Sequence, residues 1–229
     1  MRFTKMLDLI TNVLNKDADT QVDVCLTSQM ANQIELWTRM YENRSPWVNN
    51  KDVLSANLAP AIASEIARLV TLELKSEVTG GTAADYLNEQ YQRKVIKDLR
   101  RYVEYGCAKG GLVMKPYITQ QGIEVQFVQA DCFFPLSFDS SGRITQCVFT
   151  EQFRKGQKIY TRLEVHTLQG KRVHITNRAF VATNDYSLGS EVVVSSIDRW
   201  SEPVSYTHLE KLDVLAWMPL PEPYKEAEV

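Results

Sequence analysis

The sequence predicts an α+β fold in which long helices come first and an antiparallel β-rich region follows. Over about residues 1–110, apolar side chains recur every three or four positions, which is helical spacing. The pair Gly110-Gly111 then interrupts this pattern. Beyond it, over about 111–200, apolar and polar side chains alternate, which is typical of half-buried strands. Strands joined by short turns favour an antiparallel sheet packed against the preceding helices.

The first predicted helix is short and amphipathic, and a second helix follows it. The apolar positions of the first are Phe3, Met6, Leu7, Ile10, Val13 and Leu14. This helix could pack on the core or on a partner, and the core is favoured. Residues 17–23 read as a loop, and Thr27 or Ser28 caps the second helix, which Ser45-Pro46 closes. Its apolar side carries Met30, Ile34, Trp37 and Tyr41.

Two longer helices are predicted next. Asn57 to Pro60 reads as a helix start, and Gly80-Gly81 as its end. Its expected buried stripe is Ile62, Ile66, Leu69, Val70 and Leu74. Thr82 with Asp85 resembles a capping pair for the longest helix, which runs to about Gly106. The apolar positions of that helix are Leu87, Tyr91, Val95, Leu99 and Tyr102.

Four turn signals divide the β-rich region into a meander. They are Gln120-Gln121-Gly122, Ser140-Ser141-Gly142, Lys155-Gly156-Gln157 and Gln169-Gly170-Lys171. The predicted strands around them are Leu112 to Lys115, Ile123 to Phe127, Cys132 to Phe138, Ile144 to Phe153, Ile159 to Leu168 and Arg172 to Ile175. A chain of 229 residues with 44% apolar content can bury the core that such a sheet requires.

Composition narrows the functional classes. With 26 basic and 28 acidic residues, bulk charge gives no reason to expect tight nonspecific DNA binding, so any DNA contact is expected to be local. The first fourteen residues are too polar for a secretory signal, and no stretch approaches the ~20 apolar residues of a spanning helix. The protein is therefore expected to stay in the cytoplasm.

Few side chains suggest chemistry. The cysteines Cys25, Cys107, Cys132 and Cys147 form no CxxC pair, so reduced and mostly buried thiols are expected. His166 and His174 lie eight residues apart without a suitably spaced third ligand, and His208 lies in the tail, so no metal site is predicted. No phosphate-binding glycine loop is present, and no cofactor is expected.

An enzyme is the disfavoured class. It would require a pocket that brings Cys107 or Cys132 close to His166 or His174. No known nucleophile motif surrounds either thiol. We therefore predict that the protein is not an enzyme and has no catalytic residues.

One charged feature stands out on the longest helix, a basic stripe formed by Arg93, Lys94, Lys97, Arg100 and Arg101. The favoured interpretation is that these basic residues lie on a solvent-exposed side of the helix and pair in part with Glu89 and Asp98. The alternatives are contact with phosphate oxygens of DNA, without reading of bases, or contact with acidic groups of a neighbouring subunit.

Several short sequence segments resemble those of one protein family. They are Ile34-Glu35-Leu36-Trp37, Met40-Tyr41-Glu42-Asn43, Ser45-Pro46-Trp47, the run from Ala61 to Thr71, the run from Tyr105 to Gly111, and Val128-Gln129-Ala130-Asp131. This series is similar to the N-terminal half of the portal protein of long-tailed phages from Gram-positive hosts. The resemblance covers about residues 25–155 closely and 1–200 loosely, and implies the wing region of that family.

The resemblance implies a structural role at the capsid vertex of the virion. Portal proteins form twelve-membered rings through which a terminase motor drives double-stranded DNA without sequence specificity, and to which capsid and tail adaptor proteins bind. The stem, clip and crown of the family have no counterpart after Trp200. The alternative is a stand-alone phage or prophage protein that binds a capsid partner without forming a channel.

The tail, residues 201–229, departs from the rest of the chain. The segment Pro203 to Leu209 resembles a translated transposon-end sequencing adapter. Val214 to Pro223 resembles the C-terminal end of a small phage protein family of unknown function. We therefore expect a portal portion over 1–200 that is truncated and joined artificially to an unrelated tail, and a natural fusion is the less favoured alternative.

Overall fold

The computed structural model describes residues 3–17, 25–48, 55–119, 122–170 and 172–200. Its helices are α1 (Phe3–Asp17), α2 (Ser28–Tyr41), α3 (Leu58–Thr71), α4 (Ala84–Tyr91) and α5 (Lys97–Lys109). Its strands are β1 (Leu112–Thr119), β2 (Gly122–Gln129), β3 (Phe133–Phe138), β4 (Ile144–Lys155), β5 (Lys158–Gln169), β6 (Arg172–Ala182) and β7 (Ser190–Val192). The predicted α+β class, with helices first and antiparallel sheets after them, is confirmed.

Strands β3 to β7 form one antiparallel meander in sequence order. Strands β1 and β2, which the predicted meander included, instead form a separate two-stranded sheet. Gly142 and Gly156 lie at two of its turns, as expected. Strand β6 runs to Ala182, beyond the predicted end, and β7 was not predicted. Just before β7, Gly189 has a φ of +78°, and a Cβ there would lie 2.0 Å from the carbonyl oxygen of Val181. Only glycine fits this approach to β6.

Helices α1 and α2 cover one face of this sheet. Phe3, Met6 and Ile10 of α1 are buried among side chains of β3, β4, β5 and β6. The ring of Phe3 stacks on that of Phe134 with 4.8 Å between centroids. The prediction that the first helix packs on the core is confirmed. Thr27 caps α2 by accepting a hydrogen bond from the backbone of Met30, also as predicted.

The hairpin of β1 and β2 covers the other face of the sheet. Val113 and Val128 from the hairpin pack with Phe133, Cys147 and Phe149 of the sheet. The five-stranded sheet is therefore enclosed between a helical layer and a two-stranded layer.

The longest helix is continuous from α4 through the π-helical turn Gln92–Ile96 into α5. It ends at Gly110, whose φ is +83°. On its inner side Tyr102 stacks on Phe127 of β2, with 4.1 Å between ring centroids. The predicted cap by Thr82 is wrong, because α4 begins after Ala83 without a side-chain cap.

Two predicted boundaries in the helical region are also wrong. Helix α3 ends at Thr71, and not at Gly80-Gly81, because the segment that follows has no regular structure. Asp17, expected in a loop, is the last residue of α1. No helix in the described ranges is both long and apolar enough to span a membrane.

Some predictions fall outside the described residues. They include most of the loop before α2, the residues Gln120, Gln121 and Lys171 of two turns, and the whole tail 201–229. The division of the chain near residue 200 therefore stays a prediction.

Candidate assembly surface

Helix α3 packs on α5 through its small residues. Ala63 and Ala67, one turn apart, are 4% and 0% exposed. Small side chains at this spacing allow two helices to approach closely. The inner side of α3 is therefore a narrow alanine strip that leaves the large side chains on other sides of the helix.

The large apolar side chains of α3 are exposed. The exposed fraction is 57% for Ile62, 43% for Ile66, 58% for Leu69 and 62% for Val70. Leu74, beyond the helix, is also exposed. The prediction that this stripe is buried is therefore wrong. Periodicity identified an apolar side correctly, but the side that packs within the chain is the alanine side, about a half-turn away.

The third side of α3 carries an ion pair. Arg68 donates hydrogen bonds to Glu65 at 2.6 and 2.8 Å. These bonds lower the pKa of the Glu65 carboxyl, and the nearby charge of Arg100 on α5 contributes to the same shift. The apolar side of α3 thus adjoins the basic side of the long helix at this pair.

A segment without regular structure follows α3 and leads to α4. Asn88 of α4 donates to the carbonyl of Val78 at 2.8 Å and accepts from its backbone N–H at 2.7 Å. Leu72 and Leu74 in this segment are 64% and 46% exposed. We define the apolar surface as Leu58, Ile62, Ile66, Leu69, Val70, Leu72 and Leu74. Monomeric proteins rarely expose large apolar patches, and these seven exposed apolar side chains lie within one short stretch of the chain.

The structure divides the predicted basic stripe. Arg93, Lys97, Arg100 and Arg101 are exposed on the long helix. Arg93 donates to Gln90 at 3.5 Å and Arg101 to Tyr105 at 3.0 Å. We call these four exposed residues the basic side of the helix.

Lys94 does not belong to that basic side. Its side chain is only 8% exposed, because its ammonium bonds to Glu124 of β2 at 2.6 Å and to the carbonyl of Ile123. Lys94 lies in the π-helical turn, whose backbone hydrogen bonds span one residue more than those of an α-helix. The wider turn changes the direction of its side chains relative to an ideal helix, and Lys94 meets the hairpin.

A buried ionic cluster lies between the hairpin and the sheet. Lys115 of β1 donates to Glu164 of β5 at 2.9 Å, and His166 lies 2.6 Å from the same carboxylate oxygen. Arg162 contacts Glu164 at 3.7 Å and Glu151 at 3.0 Å. Lys115 and Glu164 are 5% and 1% exposed. Each buried charge therefore has an opposite partner, as low polarity requires.

The titration of this cluster follows from its surroundings. Burial alone raises the pKa of Glu164, but the hydrogen bond from His166 and the charge of Lys115 outweigh burial and lower it to about 2. Burial lowers the pKa of Lys115, and Glu164 opposes that shift. The ion pair consequently holds the hairpin on the sheet across the pH range of most experiments.

The candidate catalytic groups are not brought together. Cys132 lines a cleft of about 260 Å³ with Lys115 and Glu164, whereas His166 lines a separate cavity of about 70 Å³ with Cys147. Burial raises the pKa of the Cys132 and Cys147 thiols to about 12. Both thiols are therefore protonated near neutral pH and are poor nucleophiles.

The remaining groups suggest no further site. All four cysteines are free thiols, but Cys25 and Cys107 are exposed, so the prediction of mostly buried thiols is wrong for these two. His174 is exposed on β6 opposite Thr167. Among the described residues, no three histidine, cysteine or acidic side chains are grouped for a metal ion.

Sequence reasoning missed the ionic cluster. Alternation along β5 places Arg162, Glu164 and His166 on one face of the sheet, which was visible in the sequence. That pattern normally indicates a solvated face. Nothing local in the sequence indicated that the hairpin covers it.

Comparison with known proteins assigns no family, because the chain matches no protein family model and resembles no curated protein significantly.

Proposed function

We propose that the chain is a structural subunit of a phage head–tail connector and corresponds to the wing region of a portal protein. In this role, copies assemble into a dodecameric ring at the capsid vertex during assembly in the host cytoplasm. The ring is the conduit for double-stranded DNA in genome packaging and ejection. Its partners are further copies of the chain, the terminase motor, and capsid and tail adaptor proteins.

The observation that carries this proposal is the junction of two exposed surfaces. The apolar surface of α3 adjoins the basic side of the long helix where Glu65 lies near Arg100. An apolar region of this extent favours burial against protein, and exposed cations favour phosphate or acidic groups. Both properties suit a subunit that contacts other proteins and a DNA duplex.

The polar side chains that could serve catalysis are buried and bonded to one another, which supports an assembly role over catalysis. Glu164, His166 and Lys115 bond one another beneath the hairpin. The two more buried thiols line different cavities and have raised pKa values. These side chains stabilise the packing of hairpin on sheet, which leaves the outer surfaces for recognition.

The mechanism in this proposal is passive. Symmetric copies enclose a channel, and Arg93, Lys97, Arg100 and Arg101 make weak contacts with phosphate oxygens. Contacts of this kind carry no base information, so DNA of any sequence can slide past them.

Electron microscopy of the purified full chain, with and without a random-sequence DNA duplex, tests the ring. We expect closed rings of uniform size. A companion titration measures duplex affinity as a function of salt, comparing R93E/K97E with K158E/R172E, a double variant of equal charge change on exposed positions of the sheet.

The expected DNA result is specific to the basic side. R93E/K97E should weaken binding and reduce the slope of log affinity against log salt by roughly one for each phosphate that the variant no longer binds. K158E/R172E should have a smaller effect on both quantities. The absence of closed rings together with equal effects of the two variants would refute the conduit role.

A second function is favoured by the apolar surface alone. A stand-alone phage protein that binds a capsid partner needs a docking surface but neither a ring nor DNA contacts. A discrete complex with capsid protein that is abolished in I62E/L69E, without closed rings, would favour this alternative.

A further inference from the structure

We infer that the outer edge of strand β6 binds an extended acidic segment of another protein, which adds to the five-stranded sheet as a further antiparallel strand. Strand β7 pairs with β6 only at Ala179, Phe180 and Val181. Among the residues that the structure describes, no further strand pairs with the outer edge of β6. We call the stretch 172–178 of that edge the unpaired edge.

The unpaired edge presents backbone groups in the order that a further strand needs. The register pairs Gln169 of β5 with Arg172 of β6 across a two-residue turn. The pair that flanks such a turn exchanges backbone hydrogen bonds, and the residues of an antiparallel strand alternate between its two sides. Val173, Ile175 and Asn177 therefore direct their N–H and C=O groups outward, away from β5.

The other strand edges in the described ranges are blunted. Strand β3 shifts register beside Pro135, whose carbonyl accepts a hydrogen bond from the backbone N–H of Cys25 at 3.1 Å. Strand β1 contains Pro116, and Lys94 bonds to the carbonyl of Ile123 on β2. Strand β6, by contrast, pairs with β5 at eleven successive positions without a shift and contains no proline. A long, regular and unpaired edge is a template for strand addition, and native proteins normally protect such edges.

The charges along the unpaired edge select an acidic partner. Arg172, His174 and Arg178 alternate along β6 and therefore lie on one face of the sheet. The β5 residues opposite these three carry no charge. Lys171, in the turn before β6, adds a further positive charge in the sequence. The nearest carboxylate of β5, on Glu164, lies on the opposite face of the sheet.

Strand β7 shows how a carboxylate on an added strand is bound. Glu191 of β7 lies opposite Phe180, and its carboxylate accepts hydrogen bonds at 2.6 and 2.8 Å from Arg178, two residues along β6. Diagonal neighbours of this kind recur at steps of two residues along a strand. A carboxylate opposite His174 would therefore reach Arg172 in the same way.

The same charges disfavour a second copy of β6 as the partner. In the antiparallel register that covers the unpaired edge, two copies pair about Ile175, and Arg172 of each copy lies opposite Arg178 of the other. Like charges directly opposite each other on paired strands are destabilising. A strand with acidic side chains on this face, and apolar ones on the face of Val173 and Ile175, meets no such repulsion.

This inference does not depend on the proposed portal function, because strand addition requires neither a ring nor DNA. The absence of closed rings would therefore leave it intact. Its own failure would likewise leave the ring and its DNA contacts untouched.

Titration of the full chain with a fluorescein-labelled peptide tests the site. The probe is Thr-Val-Thr-Val-Glu-Val-Glu, whose glutamates lie opposite His174 and Arg172 when it runs antiparallel to β6. We expect saturable binding. The same peptide with N-methylated valines should bind roughly tenfold more weakly or worse, because these residues donate the backbone hydrogen bonds to β6. A peptide with lysine in place of each glutamate should also bind more weakly.

Two variants of the chain test the backbone and the charge separately. I175P removes one outward N–H without removing a bond to β5, since proline is tolerated on an edge strand when its N–H faces solvent. It should weaken binding of the acidic probe roughly tenfold. R172E should weaken it by at least roughly fivefold. The matched control R154E reverses an arginine of β4 that is 58% exposed and should leave binding unchanged. Circular dichroism verifies that the variants are folded.

Residue-resolved amide hydrogen exchange locates the pairing. When the acidic probe binds, exchange at the N–H groups of Val173, Ile175 and Asn177 should slow markedly. Exchange at His174 and Thr176 should change little, because their N–H groups are already directed at β5. Adventitious binding of the peptide to surface cations would not produce this alternation.

Several results would overturn the inference. They are the absence of saturable binding, equal binding of the acidic and lysine peptides, no effect of N-methylation, and protection that does not alternate along β6. Self-association of the chain that I175P abolishes would instead assign the unpaired edge to a second copy.

Discussion

Helices α1 and α3 have the same kind of apolar stripe, yet one stripe is buried and the other is exposed. Ile10 of α1 is fully buried against the sheet, whereas Ile66 of α3 is 43% exposed. The difference lies in what each helix meets within the chain. The sheet offers α1 a broad apolar face, and α5 offers α3 only enough room for its alanines. A stripe therefore specifies a helix without specifying what covers it.

The same contrast extends to charge. Beneath the hairpin, Lys115 is 5% exposed and bonded to Glu164, whereas Lys97 on the long helix faces solvent. The covered region consists of the five-stranded sheet with α1, α2 and the hairpin. The open region consists of the outer sides of α3 and the long helix. Substitutions in the covered region should change stability, and those in the open region should change association.

The largest effect is expected at the buried ion pair. E164A leaves Lys115 buried without its carboxylate and should reduce the free energy of unfolding by about 3–5 kcal/mol. E191A removes an exposed strand carboxylate that is paired with Arg178 at 2.6 Å, and should cost about 1 kcal/mol or less. Denaturant unfolding of both variants measures the difference. Equal costs would mean that the cluster contributes nothing particular to holding the hairpin.

A slightly smaller effect is expected from matched isoleucines on the two helices. I10A leaves a cavity against the sheet and should cost about 2–5 kcal/mol in unfolding free energy. I66A should change it by no more than about 0.5 kcal/mol, because its side chain is exposed in the monomer. Unfolding is measured at low protein concentration so that self-association does not contribute. A large destabilisation in I66A under those conditions would show that the two stripes are equally buried.

The parts of the fold that were predictable depend on local signals. Thr27 could be identified as a cap because its hydroxyl and the helix after it are adjacent in sequence. Gly142 and Gly156 could be identified because their turns need a positive φ. Alternation and helical spacing similarly indicated the order of helices and strands, and hence the α+β class.

The parts that were not predictable depend on distant contacts. The burial of Glu164 is decided by a hairpin some 50 residues earlier in the chain, as its bond to Lys115 shows. The direction of Lys94 is decided by a π-helical turn that no local pattern predicts. The inner side of α3 is decided by how closely α5 can approach Ala63 and Ala67. In each case the residue type was evident beforehand, but its role depends on tertiary packing.

An effect of intermediate size is expected in the pH dependence of the unfolding free energy, which Glu164 of the covered region should dominate. The pKa of Glu164 is about 2 in the folded protein, below its ordinary value of 4.5. The folded state therefore binds fewer protons than the unfolded state between these values, and its stabilisation is complete above about pH 4.5. As the pH falls from about 4.5 towards 2, roughly 3 kcal/mol should be lost.

Urea unfolding at a series of acidic pH values measures this decrease, and E164A isolates it. The exposed carboxylates Glu65 and Glu191 also have lowered pKa values and titrate in both proteins. The difference in stability between wild type and variant should therefore shrink as the pH falls through this window. A difference that stays constant with pH would contradict the assignment of the lowered pKa to Glu164.

The smallest effect compares two lysines of the same helix. K94A removes the ion pair of Lys94 with Glu124, whose charged atoms are 2.6 Å apart. Because this ion pair is only partly exposed, the variant should cost about 1 kcal/mol in unfolding free energy. K97A should change the unfolding free energy by less than about 0.5 kcal/mol, because Lys97 lies on the exposed basic side. The order should reverse in the DNA titration, where K97A weakens binding and K94A does not. The same order in both measurements would mean that the π-helical turn does not divide the stripe into a structural and a recognition part.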